Sequence, residues 1–354
     1  MQYLYYFFLA TVLAIILTPL CKRLAFRWRA VDVPRPPRNL HANVTAKLGG
    51  LPIFLSLAIC TVVYLISGHV DFAILPAKFF WAIAFAAAVL MVGGFLDDRY
   101  DLPPKVAWLF PALAALIIPL SGIGVGIKFL SNPFGDPISL SGMFLGLPIS
   151  GIFIWVWLMG MMFTTKFLDG LDGLVSGIGL IGGLTLFTLS LTETVNQPMT
   201  ATIAIIFAGC LFGFLFFNFN PASIFLGDGG SLLVGFILGV LSVILGAKIA
   251  TAFLVMGLPI FDVAWVIAKR LLNRKSPFRG DRLHLNFRLL DLGFTQKQTA
   301  LILYGLSAIF GFTAVFLQSF GKLIALLILF VVMMAFIWTI YYFYKKQQPQ
   351  KSLF

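Results

Sequence analysis

The sequence predicts an all-α fold: a polytopic transmembrane helical bundle of about 11 spans, with the N-terminus outside and the C-terminus inside. Three observations carry this reading. Of the 354 residues, 60% are hydrophobic and only 11% charged, whereas a soluble domain carries about a quarter charged residues. Apolar runs of spanning length recur along the whole chain. The basic residues collect in alternate connecting loops.

A hydrocarbon core about 30 Å thick needs roughly 20 apolar residues per helix. Eleven segments meet that requirement, near 3–21, 50–67, 78–96, 106–120, 147–165, 174–192, 199–217, 231–248, 250–268, 299–317 and 323–344. The fourth is short, and Pro259 interrupts the ninth. Met1 to Cys21 lacks a basic start and a small-residue cleavage site, so it reads as a retained first span. Gly, Pro and Ser punctuate the external segment Ser121 to Gly146, which reads as a hairpin. No internal repeat and no soluble second domain is visible, so 1–354 reads as a single integral membrane domain.

Loops after odd-numbered spans, together with the tail, hold 21 Lys and Arg. Loops after even-numbered spans hold four, Lys78, Lys128, Lys248 and Lys322. Cytoplasmic loops are the Lys- and Arg-rich ones, which sets the orientation and explains the net charge of +12 without a nucleic-acid partner. The same parity places Asp32, Asp97, Asp98, Asp101, Asp169, Asp172, Asp228, Asp281 and Asp291 on the cytoplasmic side. Only Asp71, Asp136 and Glu193 fall outside. Carboxylates gathered at one face beside basic loops suit a metal and a phosphate. The expected location is the inner (plasma) membrane, multi-pass, with a cytoplasmic active site built from loops near 22–49, 97–105, 166–173, 218–230 and 269–298. Cys21, Cys60 and Cys210 all sit in apolar stretches with no CxxC pair, which indicates neither zinc nor a disulfide framework.

Four stretches carry chemistry. Gly94-Phe95-Leu96-Asp97-Asp98-Arg99-Tyr100-Asp101 ends the third span. On a helix Asp97 and Asp101 would share a face, with Asp98 rotated about 100° away. Three carboxylates there repel one another unless a cation or proton sits among them, although a solvated helix end would also accept them. Lys166-Phe167-Leu168-Asp169-Gly170-Leu171-Asp172-Gly173 follows the fifth span. Its glycines let backbone and carboxylates approach a ligand, and Asp-Gly pairs are also ordinary turn formers. The run Asn218 to Ser231 contains Phe225 and a single carboxylate, Asp228, among glycines at the start of the eighth span. That suits an oxygen-ligated Mg²⁺ completing its shell with water and phosphate, and it also suits a plain N-cap. The loop Lys269 to Gln298 holds eight basic residues. Most would anchor lipid headgroups, while His284 and Arg288, four apart on a short helix, could face a phosphate together.

In this order and on this side of the membrane, the four stretches resemble the polyprenyl-phosphate N-acetylhexosamine-1-phosphate transferases. The matching residues are the Asp97-Asp98 pair and the Asp169-Gly170-Leu171-Asp172-Gly173-Leu174 run. They extend to the Asn-to-Ser231 run (with Asn218 or Asn220 as its asparagine), the Pro259-Ile260-x-Asp262 break, and the loop from Ser276 to Gly293. His41 and Leu48-Gly49-Gly50 resemble the family's first cytoplasmic loop. Similarity covers about residues 30 to 295. The chain departs from the family at Phe163 and Lys166, where asparagines are usual, and at Asn286 and Phe287, where histidines are usual.

The resemblance implies transfer of a sugar 1-phosphate, N-acetylglucosamine 1-phosphate before the muramoyl-pentapeptide, from a UDP-N-acetylhexosamine to polyprenyl (undecaprenyl) phosphate, releasing UMP. It implies Mg²⁺, with Mn²⁺ as a substitute, held by Asp228 and Asp97. Asp97, Asp98 and Asp228 would be catalytic; Lys166, Asp169, Asp172, Asn218, Phe225, His284 and Arg288 would bind substrate. A homodimer is compatible with it. A membrane prenyltransferase using Asp97-Asp98-x-x-Asp101 is the rival reading, but it leaves the Gly227 to Ser231 turn and the His284 loop without a task. A transporter would place its polar residues near the midplane and often show inverted repeats.

Overall fold

A computed structural model describes residues 1–34, 43–68, 70–72, 75–130, 136–144, 146–246, 249–272, 274, 284–317 and 319–347. His41, His69 and the stretch from Lys275 to Leu283 lie outside the described residues. The chain runs α1 (Gln2–Arg27), a two-stranded hairpin of β1 (Val31–Asp32) and β2 (Thr45–Ala46), α2 (Gly50–Ile66), α3 (Ala77–Tyr100), α4 (Pro104–Ala107) and α5 (Leu109–Ser121). Two more short antiparallel pairs follow, β3 (Phe129–Leu130) with β4 (Ile138–Ser139) and β5 (Met143–Phe144) with β6 (Leu147–Pro148). The first pair bears out a hairpin between Ser121 and Gly146. Then come α6 (Ile149–Leu168), α7 (Leu174–Ser190), α8 (Pro198–Asn218), α9 (Gly227–Ile244), α10 (Ile249–Val255), α11 (Gly257–Leu272), α12 (Leu285–Asp291), α13 (Gln296–Phe316) and α14 (Ser319–Gln347).

All eleven apolar segments fall in helices, yet they differ in reach. Among the described residues, seven helices are long and apolar enough to cross a membrane, and the bent pair α10–α11 makes an eighth. Gly50–Ile66 and Leu174–Ser190 are shorter apolar helices. A short helix is accommodated by local thinning of the bilayer or by burial among longer neighbours. The 11 expected spans therefore correspond to eleven helical segments, with α2 and α7 of 17 residues each.

The break in the ninth segment falls before Pro259, with α10 and α11 meeting at 79°. Proline cannot donate to the carbonyl four residues back and its ring crowds that carbonyl. Here that carbonyl belongs to Val255, the last residue of α10. At the start of α13, Thr295 accepts the Gln298 N–H and Gln298 Oε1 accepts the Thr295 N–H, a reciprocal cap.

The most buried helices are α8 and α9, and α9 packs against α2, α3, α6 and α7. Small residues set those crossings, as they do where lipid supplies no hydrophobic drive between helices. A Cβ on Gly94 would lie 2.1 Å from the Gly229 Cα, and one on Gly50 would lie 2.5 Å from the Gly230 Cα. Backbone touches backbone at both points, which brings the ends of α2 and α3 onto the first turn of α9.

Gly94→Ala should therefore force α3 off α9 and destabilise the protein by about 1–3 kcal/mol. Gly126→Ala, with nothing within 4 Å of its added methyl, should leave the melting temperature of the detergent-solubilised protein unchanged. Equal melting temperatures for both variants would contradict this packing.

Candidate active site

Four chain segments converge at the first turn of α9. The β1–β2 hairpin supplies the first, zipped along the segment before α9. Phe225 N–H donates to Ala46 O at 2.8 Å, Gly49 N–H to Phe225 O at 3.0 Å and Gly50 N–H to Leu226 O at 2.8 Å. Gly227 then turns the chain with φ of +73°, and a Cβ there would meet Lys47 O and the Asp98 carboxylate. Glycine is required at this point on both counts.

The last turn of α3 brings Asp97 and Asp98. Asp98 is 5% exposed; its Oδ2 accepts the Asp228 N–H at 3.0 Å, and its Oδ1 lies 4.0 Å from Lys47 Nζ. A carboxylate is well placed against the exposed N–H groups of a helix start. Asp97 Oδ1 accepts the Leu102 N–H at 3.0 Å, leaving Oδ2 toward α9. Asp101 does not join them. It caps α3 in a left-handed conformation, φ +54°, and is exposed. The helix ends before the expected shared face of Asp97 and Asp101 can form, and the third carboxylate of the Asp97-Asp98-x-x-Asp101 pattern turns away.

Lys166, in the last turn of α6, reaches between two carboxylates. Its Nζ lies 2.7 Å from Asp228 Oδ2 and 3.2 Å from Asp97 Oδ2. These oxygens converge on one positive charge, and hard oxygens in that arrangement suit Mg²⁺. Among the described residues no group of three or more His, Cys, Asp and Glu is arranged to hold a metal. A metal here would use one or two carboxylates and take its remaining ligands from water and substrate phosphate.

Asp169 follows α6 directly. Its surroundings push its carboxyl above the usual range, first by crowding with protein, then by the charges of Asp228 and Asp172, with Lys47 opposing. The residue is nonetheless exposed, and water tempers the shift. Asp172 braces the loop before α9: its Oδ2 accepts Asn220 Nδ2 at 2.8 Å and the Ala222 N–H at 3.0 Å. Asn218 is buried instead, accepting from Ser176 Oγ at 2.7 Å and donating to Ile224 O at 3.0 Å. Of the two asparagines, Asn220 meets the Asp169–Asp172 loop, and Asn218 holds the loop's base. Phe225 is half-buried, its backbone committed to the hairpin.

His284 arrives from beyond α11. Its Nδ1 lies 2.8 Å from Asp262 Oδ2, while Asp262 Oδ1 accepts the Leu285 N–H at 2.9 Å. The His284 ring stacks on Phe167 at 6.4 Å, next to Lys166. An ionised Asp262 accepts from Nδ1, which leaves Nε2 as the ring atom available to substrate. Arg288 sits one turn along α12, half-buried, as expected of a short helix. Asn286 is buried beside Gly170 with no partner for its Nδ2. Sequence reasoning did not single out Lys47 or the role of Asp262 toward His284. For Asp262 the available signal was a carboxylate inside an apolar span, which is rarely without a task.

An open groove of about 410 Å³ runs between α2, α3 and α9, lined by Trp28, Leu51, Met91, Phe95 and others, and ending at Lys47 and Asp98. It is apolar along its length and charged at one end.

Residues 80–246 match the model of glycosyl transferase family 4. A probable undecaprenyl-phosphate N-acetylglucosaminyl 1-phosphate transferase of Bacillus subtilis is 30% identical over 332 residues, covering 92% of this chain and 87% of that protein. A decaprenyl-phosphate N-acetylglucosaminephosphotransferase of Mycobacterium tuberculosis is 30% identical over 326 residues, 83% of this chain and 77% of that one. A phospho-N-acetylmuramoyl-pentapeptide-transferase of Staphylococcus carnosus is 29% identical over 298 residues, 80% and 88% of the two chains. The chain thus belongs to glycosyl transferase family 4, as one of its multi-pass membrane enzymes that transfer a sugar 1-phosphate to a polyprenyl phosphate.

Proposed function

We propose that the protein transfers N-acetylglucosamine 1-phosphate from its UDP donor to undecaprenyl phosphate at the cytoplasmic face of the plasma membrane. The observation that carries this reading is the convergence of Asp97, Asp98, Asp228, Lys47 and Lys166 on one helix start, at the charged end of an apolar groove. The 21-to-4 division of basic residues supports the cytoplasmic orientation, and the names of two of the relatives above support the sugar.

In the reaction an oxygen of the lipid phosphate attacks the sugar-bearing phosphorus of the donor. A new P–O bond forms, the bond to the bridging oxygen breaks, and UMP leaves with that oxygen. Both reactants are anionic, so the protein must neutralise charge and hold the two in line. The groove takes the isoprenoid chain, and Lys47 at its end meets the lipid phosphate. Asp98 orients Lys47 and fixes Asp228. Asp228 and Asp97 would hold Mg²⁺, which when bound neutralises charge developing on the diphosphate. Lys166 donates to the diphosphate beside them. Asp169 accepts from the uracil edge, Phe225 stacks on the base, and Asp172 positions both through Asn220. His284 and Arg288 meet phosphate oxygens, with Asp262 holding the His284 ring in place.

Purified protein given undecaprenyl phosphate and a panel of UDP-sugars should release UMP with UDP-N-acetylglucosamine. Chelation should abolish release and Mg²⁺ restore it, and Asp228→Ala should be inactive while still folded. Near wild-type turnover of that variant at saturating Mg²⁺ would refute the assignment. Asp262→Ala, which frees the His284 ring, should slow turnover by about tenfold or more, in line with a lost charge-assisted hydrogen bond of roughly 1.5–3 kcal/mol. An unchanged rate would remove His284 from the mechanism.

A further inference from the structure

Where the resemblance noted above implies an asparagine, this chain has Lys166, and its surroundings give that difference a consequence. Its ammonium touches both Asp228 Oδ2 and Asp97 Oδ2, the two oxygens that the proposed function assigns to a divalent cation. An asparagine amide offers a neutral donor and acceptor there, whereas lysine brings a full point charge on a flexible stem. The remaining cation nearby, Lys47, faces Asp98 and Asp32 at 4.0 and 3.9 Å. No other described cation bridges Asp97 and Asp228.

We infer that Lys166 is a resident cation of the Asp97–Asp228 pair, which a divalent ion must displace before it can bind. In the empty enzyme the ammonium neutralises two adjacent carboxylates and keeps their oxygens converged. When a divalent ion enters, the like charges repel, and the four-carbon stem lets the ammonium move off the carboxylates. The donor diphosphate, placed here by the proposed function, supplies an anion to receive it. Metal and donor therefore bind together more favourably than either alone, since the donor gives the displaced charge a partner. Lys166 thus couples metal entry to donor binding. This rests on the reading that Asp228 and Asp97 hold the metal.

The test is Mn²⁺ binding to the full-length protein without substrate, followed by the electron paramagnetic resonance signal of free Mn²⁺. Lys166→Met and Lys166→Asn should each bind Mn²⁺ about tenfold or more tightly than wild type, because a like charge has been removed from the site. Lys166→Arg, which keeps the charge, should stay near wild type. Adding UDP-N-acetylglucosamine should tighten Mn²⁺ binding more in wild type than in Lys166→Met. Two neutral variants are measured, each checked by size exclusion, so loss of one to misfolding leaves the other decisive. Equal or weaker Mn²⁺ binding by the neutral variants, with binding still lost in Asp228→Ala, would overturn the resident-cation role and leave the metal assignment standing. Mn²⁺ binding that ignores Asp228→Ala, or no binding by any protein, would overturn the metal assignment and this inference with it.

Discussion

Asp98 accepts the Asp228 N–H at 3.0 Å, and through that bond the end of α3 is fixed to the start of α9. The carboxyl side chain is 5% exposed, and a helix N-terminus and Lys47 face it. A hydrogen bond contributes on the order of 1 kcal/mol, but its larger effect here is geometric. With α3 and α9 already in backbone contact at Gly94 and Gly229, it sets Asp97 and Asp228 side by side. Lys166 from α6 can then reach both. Each other part of the site hangs from this point: the hairpin at residues 31–46 is zipped to the segment leading into Gly227, and Asp172 braces the same segment through Asn220 and Ala222.

Much of this was legible in the chain. Apolar length located every long helix, because a bilayer imposes one helix length on any sequence that crosses it. The parity of basic residues grouped the loops that the structure brings together, and the aspartate-glycine runs marked their meeting point. What stayed hidden depends on local geometry. Asp101 follows Asp97 at helical spacing, yet the helix stops and the residue caps it in a left-handed turn. Asn218 and Asn220 are two residues apart and face different tasks, a distinction set by where α8 ends. Lys47 carries no pattern of its own; only the pairing of its hairpin with the segment before α9 places it beside Asp98. Pro259 signalled the break in the ninth segment, and the bend falls at its N-terminal side because the proline removes the bond to Val255.

The site also illustrates how a membrane enzyme carries several charges among apolar helices. Asp97, Asp98 and Asp228 lie at helix ends and not mid-span, where backbone N–H groups, two lysines and water share the cost of ionisation. Asp262 is the exception, buried within α11, and it is paired with His284 and the Leu285 N–H. The break between α10 and α11 lets the following chain return toward the site. His284 is stacked there on Phe167, in the last turn of α6.

The central claim is that Asp97 and Asp228 form the cation site of the transferase. Crystals of the protein grown with UMP and Mn²⁺, recorded at the manganese absorption edge, test it directly. An anomalous peak within coordination distance of both carboxylates, with the Lys166 ammonium moved off them, is the predicted result. A peak elsewhere, with Lys166 still bridging Asp97 and Asp228, would contradict it.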